Sequence, residues 1–416
     1  MLKQAKFLNA LICIGNAAKF LTGSNFQWDV NKKALRINQS VFTKCLLVSS
    51  LLGGIQLANF ALKICYRKDS QKANNLTMEI FILAIYALLI SYCYAMTHYG
   101  IYFQRFICLA YEFEELHSQE LGKLLKEKSF KRIVAVSRLF IFLVQYPSMK
   151  TCPALLSISA FLLTSSPMNF FSLQPLNLII NGVMMATSAV FPALTTGLTW
   201  FIEGMVNWAI WTFSCKVAAV LDIQIVLGAT ALVAYASMIE RNWRPHFEQD
   251  QANQSKMRIK TLHSVKVYKQ LQILLKMFNV LHSGILVSLL VTLLTLEVVA
   301  AVKVIRSLSG GTFTSSSGIW VNGFLLQIVM YSVVAVVAIY GMAGRVNDVA
   351  QRCLRAMKNG ALQSGKDRKS LIKIVNSLSV LKVEFASSNF VEKLTPYIFL
   401  EFTLARIIDC LLLSKR

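Results

Sequence analysis

The stretch LTPYIFLEFTLARIIDCLLLSKR, residues 394–416, has the composition of a hydrophobic helix, yet it carries Glu401, Arg406 and Asp409. Charges inside a membrane-length apolar helix are costly and mark a functional surface. A step of about 100° per residue sets Asp409 about 80° from Glu401 and about 60° from Arg406, so all three share an arc of roughly 140°. That arc must face protein or water, and two arrangements satisfy it. Arg406 and Asp409, at i and i+3, can pair and tether the helix within its own bundle. Alternatively, several copies can gather around a shared axis, where a ring of Asp409 carboxylates would attract cations. Glu297, in LLVTLLTLEVVAAV, poses a similar choice between reaching to the membrane edge and facing a hydrated pocket.

No constellation for catalysis is present. The histidines His98, His117, His246, His263 and His282 have no H-E-x-x-H spacing and no neighbouring cysteine partners, and neither a nucleophile elbow nor a phosphate-binding glycine motif occurs. Gly and Ser in SGGTFTSSSG, 309–318, come without a Lys to hold a phosphate and read as a flexible turn. Nine scattered cysteines form no C-x-x-C pair, so neither a zinc site nor a disulfide framework is supported. The chain is expected to be no enzyme and to need no metal or other cofactor.

The elements that must position these charges are membrane helices. Of 416 residues 55% are hydrophobic and only 15% charged, and the mean hydropathy is +0.54, values of a polytopic membrane protein. The net charge of +23 alternates with apolar spans, as cytoplasmic loops do, and is not the footprint of a nucleic-acid partner. The clearest spans are 42–64, 76–97, 278–302, 319–344 and the closing helix 390–413. Basic residues crowd the N-terminal segment, 105–132, 241–269 and 345–382, which places these inside. Only the short turn with Arg67, Lys68 and Lys72 runs against that assignment. Both flanks of 134–240 are then cytoplasmic, so an even number of crossings lies between them. One within 134–165 and one within 206–238 give seven in all, with 176–200 folding over the outer face or re-entering; nine crossings are the alternative.

The expected fold is therefore one all-α domain, 1–416, with seven transmembrane helices, a cytoplasmic N-terminus and an extracellular C-terminus. Residues 1–40 form a cytoplasmic, amphipathic N-terminal segment. Cytoplasmic helical extensions cover 241–277 and 345–385. In the first, Ile259, Leu262, Val265, Tyr268, Leu271, Leu275 and Phe278 recur every three or four positions; in the second, Ile374, Leu378, Leu381 and Phe385 do so. These stripes pack either within the chain or against another subunit.

This layout resembles the insect gustatory receptors. FQWDVNKKALRINQSVF (26–42) is similar to that family's stretch before the first span, VYKQLQILLKMFNVLHSGIL (267–286) to its entry into the fifth, and NDVAQRCLRAMKNG (347–360) to its connection after the sixth. The family's last-helix motif, T-Y, five apolar residues and Q-F, is echoed imperfectly by TPYIFLEF (395–402) and TLARIIDC (403–410), with Glu or Asp where Gln belongs. The resemblance implies a homo- or heterotetrameric, ligand-gated, nonselective cation channel of the plasma membrane, joined through the last helix and the cytoplasmic extensions. Glu401, Arg406 and Asp409 would line its pore. A small molecule would bind among polar and aromatic residues in the outer halves of the preceding spans, with Tyr86, Glu297, Trp320, Asn322, Gln327 and Tyr331 as candidates. Two other classes compete: a secondary transporter, disfavoured by the lack of an internal repeat, and a non-conducting membrane scaffold or chaperone.

Overall fold

The computed structural model describes residues 26–29, 34–66, 72–127, 130–133, 135, 220–243, 254–310, 316–364, 367–386 and 389–413. Residues 1–25 of the expected amphipathic start, the stretch 134–165 apart from residue 135, the stretch 176–200 and the first part of 206–238 lie outside these residues. A small antiparallel hairpin opens the described chain, β1 (Phe26–Asp29) with β2 (Ala34–Ile37), in register Phe26 to Ile37. Residues 26–29 and 34–37 thus pair as strands inside the segment expected to be amphipathic N-terminus. Its alternation buries Phe26 and Leu35 on one side and leaves Arg36 to reach Asp29 on the other at 3.0 Å. Phe26 meets Phe42 edge-on, and Phe42 meets Tyr92, which seats the hairpin on the helices.

The helices are α1 (Gln39–Tyr66), α2 (Lys72–Leu116), α3 (Ser118–Lys126), α4 (Val220–Trp243), α5 (Gln254–Ser309), α6 (Ser316–Leu362), α7 (Arg368–Asn376) and α8 (Thr395–Leu413). Four stretches within them are long and apolar enough to cross a membrane: Gln39–Ala58, Val220–Trp243, Arg258–Ser309 and Leu325–Leu362. At 19 residues α8 also has the length, and its three charges set it apart.

Three helices run far past the hydrocarbon thickness. At about 1.5 Å per residue, the 45 residues of α2, 56 of α5 and 47 of α6 extend roughly 70, 84 and 70 Å. The segment from 98 onward, expected as a connection after the second span, instead continues α2. Phe103, Phe106, Ile107, Ala110 and Phe113 keep one buried face through Gly100 and beyond. In α5 the stripe Val265, Tyr268, Leu271, Leu275 and Phe278 is buried within the chain, whereas Ile259 and Leu262 at its beginning are exposed. The bundle is built on α5, packed between α2 and α6, with α1 outside α2. From Val220 to Trp243, α4 is buried almost all round and touches all three: Tyr235 reaches Glu114 of α2, Gly228 lies under Phe278 of α5, and Gly360 of α6 lies under Trp243.

The segment expected as helix over 345–385 is helical only in part. After α7 the chain extends along α5, where polar side chains satisfy its backbone. Tyr268 and Gln272 donate to the Ser379 carbonyl at 3.1 and 3.0 Å, and Asn279 brackets Lys382 and Glu384. A second hairpin, β3 (Glu384–Phe385) with β4 (Asn389–Phe390), then turns the chain toward α8, which starts at Thr395 rather than 390. The Thr395 hydroxyl accepts the Glu392 amide at 2.8 Å, and Pro396 follows in the first turn, where its missing N–H costs nothing.

This approach to α8 presses on α6. A Cβ on Gly344 would stand 2.5 Å from the Glu392 carbonyl carbon and oxygen and 2.7 Å from the Lys393 nitrogen, all backbone atoms. Relieving such contacts costs about 1–3 kcal/mol. Gly344→Ala is therefore expected to lower the melting temperature of the detergent-purified protein by several degrees. Gly284→Ala, with open space around its Cβ, is expected to leave it level or raise it. Equal effects of the two would contradict this packing.

Beyond the apolar part of α2, His117 is packed against Phe113 and lies near His263 and Glu120. Burial pushes the His117 imidazole below its usual range, against the opposing pull of the Glu120 carboxylate, and neighbouring His263 adds to the fall. The unfolded chain takes up that proton near the ordinary value of about 6.5, so this contribution to stability is complete above that pH and is lost as pH falls through the folded value. Melting temperature is expected to drop on acidification below about 6.5, and His117→Phe to flatten the drop. An unchanged slope in the variant would refute it.

Candidate functional site

The last helix is seated on the chain by a narrow stripe. Pro396 and Thr403 are buried and Phe399, Leu400, Ile407 and Leu411 half-buried, spaced at three to four residues. Phe399 anchors it, edge-on to Tyr340 of α6 at 5.5 Å and beside Phe385 of the hairpin at 6.1 Å. The rest of α8 is bare, with Tyr397, Ile398, Phe402, Leu404, Ile408, Leu412 and Leu413 all exposed. Glu401, Arg406 and Asp409 lie on this bare surface.

The Arg406–Asp409 pair forms, at 3.0 Å, with both side chains about half exposed. Its guanidinium also rests over the Phe402 ring at 4.9 Å. Both partners and the ring belong to α8, so the pair ties the helix to itself rather than tethering it in the bundle.

The six pocket candidates are placed on α2, α5 and α6. Tyr86 is buried against α1, where a Cβ on Gly53 would touch its own Cβ at 3.4 Å. Glu297 is buried, 6% exposed, and one of its carboxylate oxygens has no hydrogen-bond partner. Asn322 is buried and donates to the Ser307 hydroxyl at 2.7 Å, pinning the start of α6 to the end of α5. Gln327 is half-buried. The side chain of Trp320 lies outside the described residues. Tyr331, half-buried, donates its hydroxyl hydrogen to Asp222 of α4.

Asp222 is the residue that sequence reasoning missed. It is fully buried, and its second oxygen has no partner. Nearby in sequence, Gln224 is fully buried beside the buried Tyr92 hydroxyl of α2, and the buried Ser332 hydroxyl on α6 has no hydrogen-bond partner. Buried polar atoms are nearly always hydrogen-bonded, so orphans inside a helical bundle mark room for water or a polar ligand. The signal stood in VLDIQIVLG, an acid and an amide in an apolar run. It is the same signal that singles out α8, set inside 206–238, a stretch whose apolar length reads as a crossing. No group of three or more His, Cys, Asp or Glu among the described residues could hold a metal ion.

No protein-family model and no curated protein sequence matches the chain. Its fold, however, is shared with the insect olfactory receptor OR5 from Machilis hrabei, with a TM-score of 0.54 at 12% identity over 99% of this chain and 98% of that one. The same receptor in complex with eugenol gives 0.58 at 12% identity, over 98% and 100%. Both neighbours are olfactory receptors. The chain is an all-α, multi-pass membrane protein with the architecture of an insect olfactory receptor.

Proposed function

We propose that the protein is a chemosensory receptor of the gustatory type, a ligand-gated, nonselective cation channel that detects a small molecule at the plasma membrane. The observation that carries this reading is α8: a membrane-length helix whose charged arc the other described residues leave uncovered. Four copies arranged around it, with seven crossings each and the C-terminus outside, would turn that arc onto a water-filled axis. Asp409 and Glu401 would then draw cations to the pore, and Arg406 would hold Asp409 in place. The architecture supports the reading, since the neighbour that shares it is an olfactory receptor solved with eugenol. The ligand site would be the buried polar group around Tyr331 and Asp222, with Tyr86, Glu297, Trp320, Asn322 and Gln327 toward its borders.

The test is electrical. The protein is expressed in cultured cells, surface delivery is verified, and currents are recorded against a panel of small molecules that includes eugenol. Asp409→Asn is expected to weaken cation-over-anion preference without moving the half-maximal ligand concentration. Tyr331→Phe is expected to move that concentration about tenfold, the worth of one hydrogen bond to a charged group, and to leave ion preference alone. Surface-delivered protein that accumulates a solute with no current, or whose ion preference ignores Asp409, contradicts the proposal.

A further inference from the structure

We propose that a cavity between α3, α4 and α6, beside the approach to α8, binds a phosphate-bearing anion. The cavity has a volume of about 360 Å³, in the range that holds small ligands. Its floor is apolar, from Leu124, Phe130, Val233 and Val349. Its walls are charged, with four cationic side chains against three carboxylates.

The carboxylates are already engaged. Glu127 accepts from Arg241 Nε at 2.9 Å, and Arg352 spans Asp348 at 2.6 Å and Glu240 at 3.4 Å. What remains is donors. Among the described residues Arg345 and Lys393 have no ion-pair partner, and the Nη1 of Arg241 is buried with no acceptor. An arginine and a lysine side by side without an anionic partner favour a phosphate, whose oxygens fit the planar fork of Arg345. Lys393 is held beside Arg345 by the backbone contact at Gly344, so the two free cations are brought together by the fold and not by chance of side-chain reach.

The position favours such a ligand. Glu240 and Arg241 follow the uncharged run 225–239 of α4, and Arg345 follows the uncharged run 328–344 of α6, the kind of position at which a bilayer presents phosphate headgroups. A lipid headgroup and a soluble inositol phosphate offer the same chemistry. Either would cross-link Lys393 to α4 and α6, two residues before α8 begins at Thr395. The binding site stands without any assumption about conduction. Its bearing on opening rests on the reading of α8 as the pore helix.

The full chain in phosphatidylcholine nanodiscs, with and without phosphatidylinositol bisphosphate, is titrated with soluble inositol trisphosphate, and binding and melting temperature are read. Saturable binding or a raised melting temperature is expected from at least one probe. Binding of the soluble probe points to a free phosphate compound, and stabilisation by the lipid alone points to a headgroup. The pair Arg345→Gln/Lys393→Gln is expected to weaken binding about tenfold or more. Arg368→Gln/Lys369→Gln, which removes the same charge from exposed α7, should not. Lys393→Gln alone, an exposed site with no bearing on the core, should show a partial loss and guards against misfolding of the pair. Absence of binding by both probes, or equal loss in the α7 control, overturns the proposal.

Discussion

Hydrocarbon cannot solvate two carboxylates and a guanidinium on one arc of a helix, and α8 carries Glu401, Arg406 and Asp409 on the surface that the other described residues leave bare. Each charge at the centre of a bilayer costs about 2.5–3.5 kcal/mol on insertion scales. The Arg406–Asp409 pair softens this cost without removing it, because both groups remain about half exposed. The arrangement of the chain follows from keeping this helix at its edge. A thin apolar stripe seats it, Phe399 fits against Tyr340 and Phe385, and the segment that delivers it is bolted to α5 by Tyr268, Gln272 and Asn279.

The second polar region lies inside. Asp222 and Tyr331 join α4 to α6, while the second Asp222 oxygen and the Ser332 hydroxyl lack partners. Nine residues along α6, Tyr340 donates to the Leu286 carbonyl of α5 at 2.6 Å and stacks edge-on against Phe399 of α8. One rigid helix therefore touches both the buried polar group and the seat of the last helix. That continuity is geometric. It gives a ligand near Tyr331 a body to push on, and its use in gating depends on differential contacts between closed and open states.

Much of this was legible in the sequence, and what was missed has physical causes. Length and apolar composition located α1, α5 and α6, because a span needs only about 20 apolar residues to declare itself. The heptad-like spacing from Val265 to Phe278 correctly announced a packed face, although Ile259 and Leu262 turned out bare. The long tail of α2 was hidden by its charges, since Arg105 and Glu112 made an amphipathic helix look like a loop. Contacts set by absent side chains left no trace at all: nothing in the sequence says that Gly344 admits the backbone of Glu392 or that Gly360 admits the ring of Trp243. The hairpin at 384–390 was masked by apolar residues that fit a helix equally well, and Asp222 by the assumption that a crossing is defined by its length.

In the proposed channel the bare arc of α8 is covered by other copies of the same helix around water. Single-particle imaging of the purified protein in nanodiscs tests it most directly. Fourfold particles are expected, with α8 of each copy facing the axis and Asp409 on the axial side. Monomeric particles, or an assembly with α8 turned outward to lipid, would contradict it.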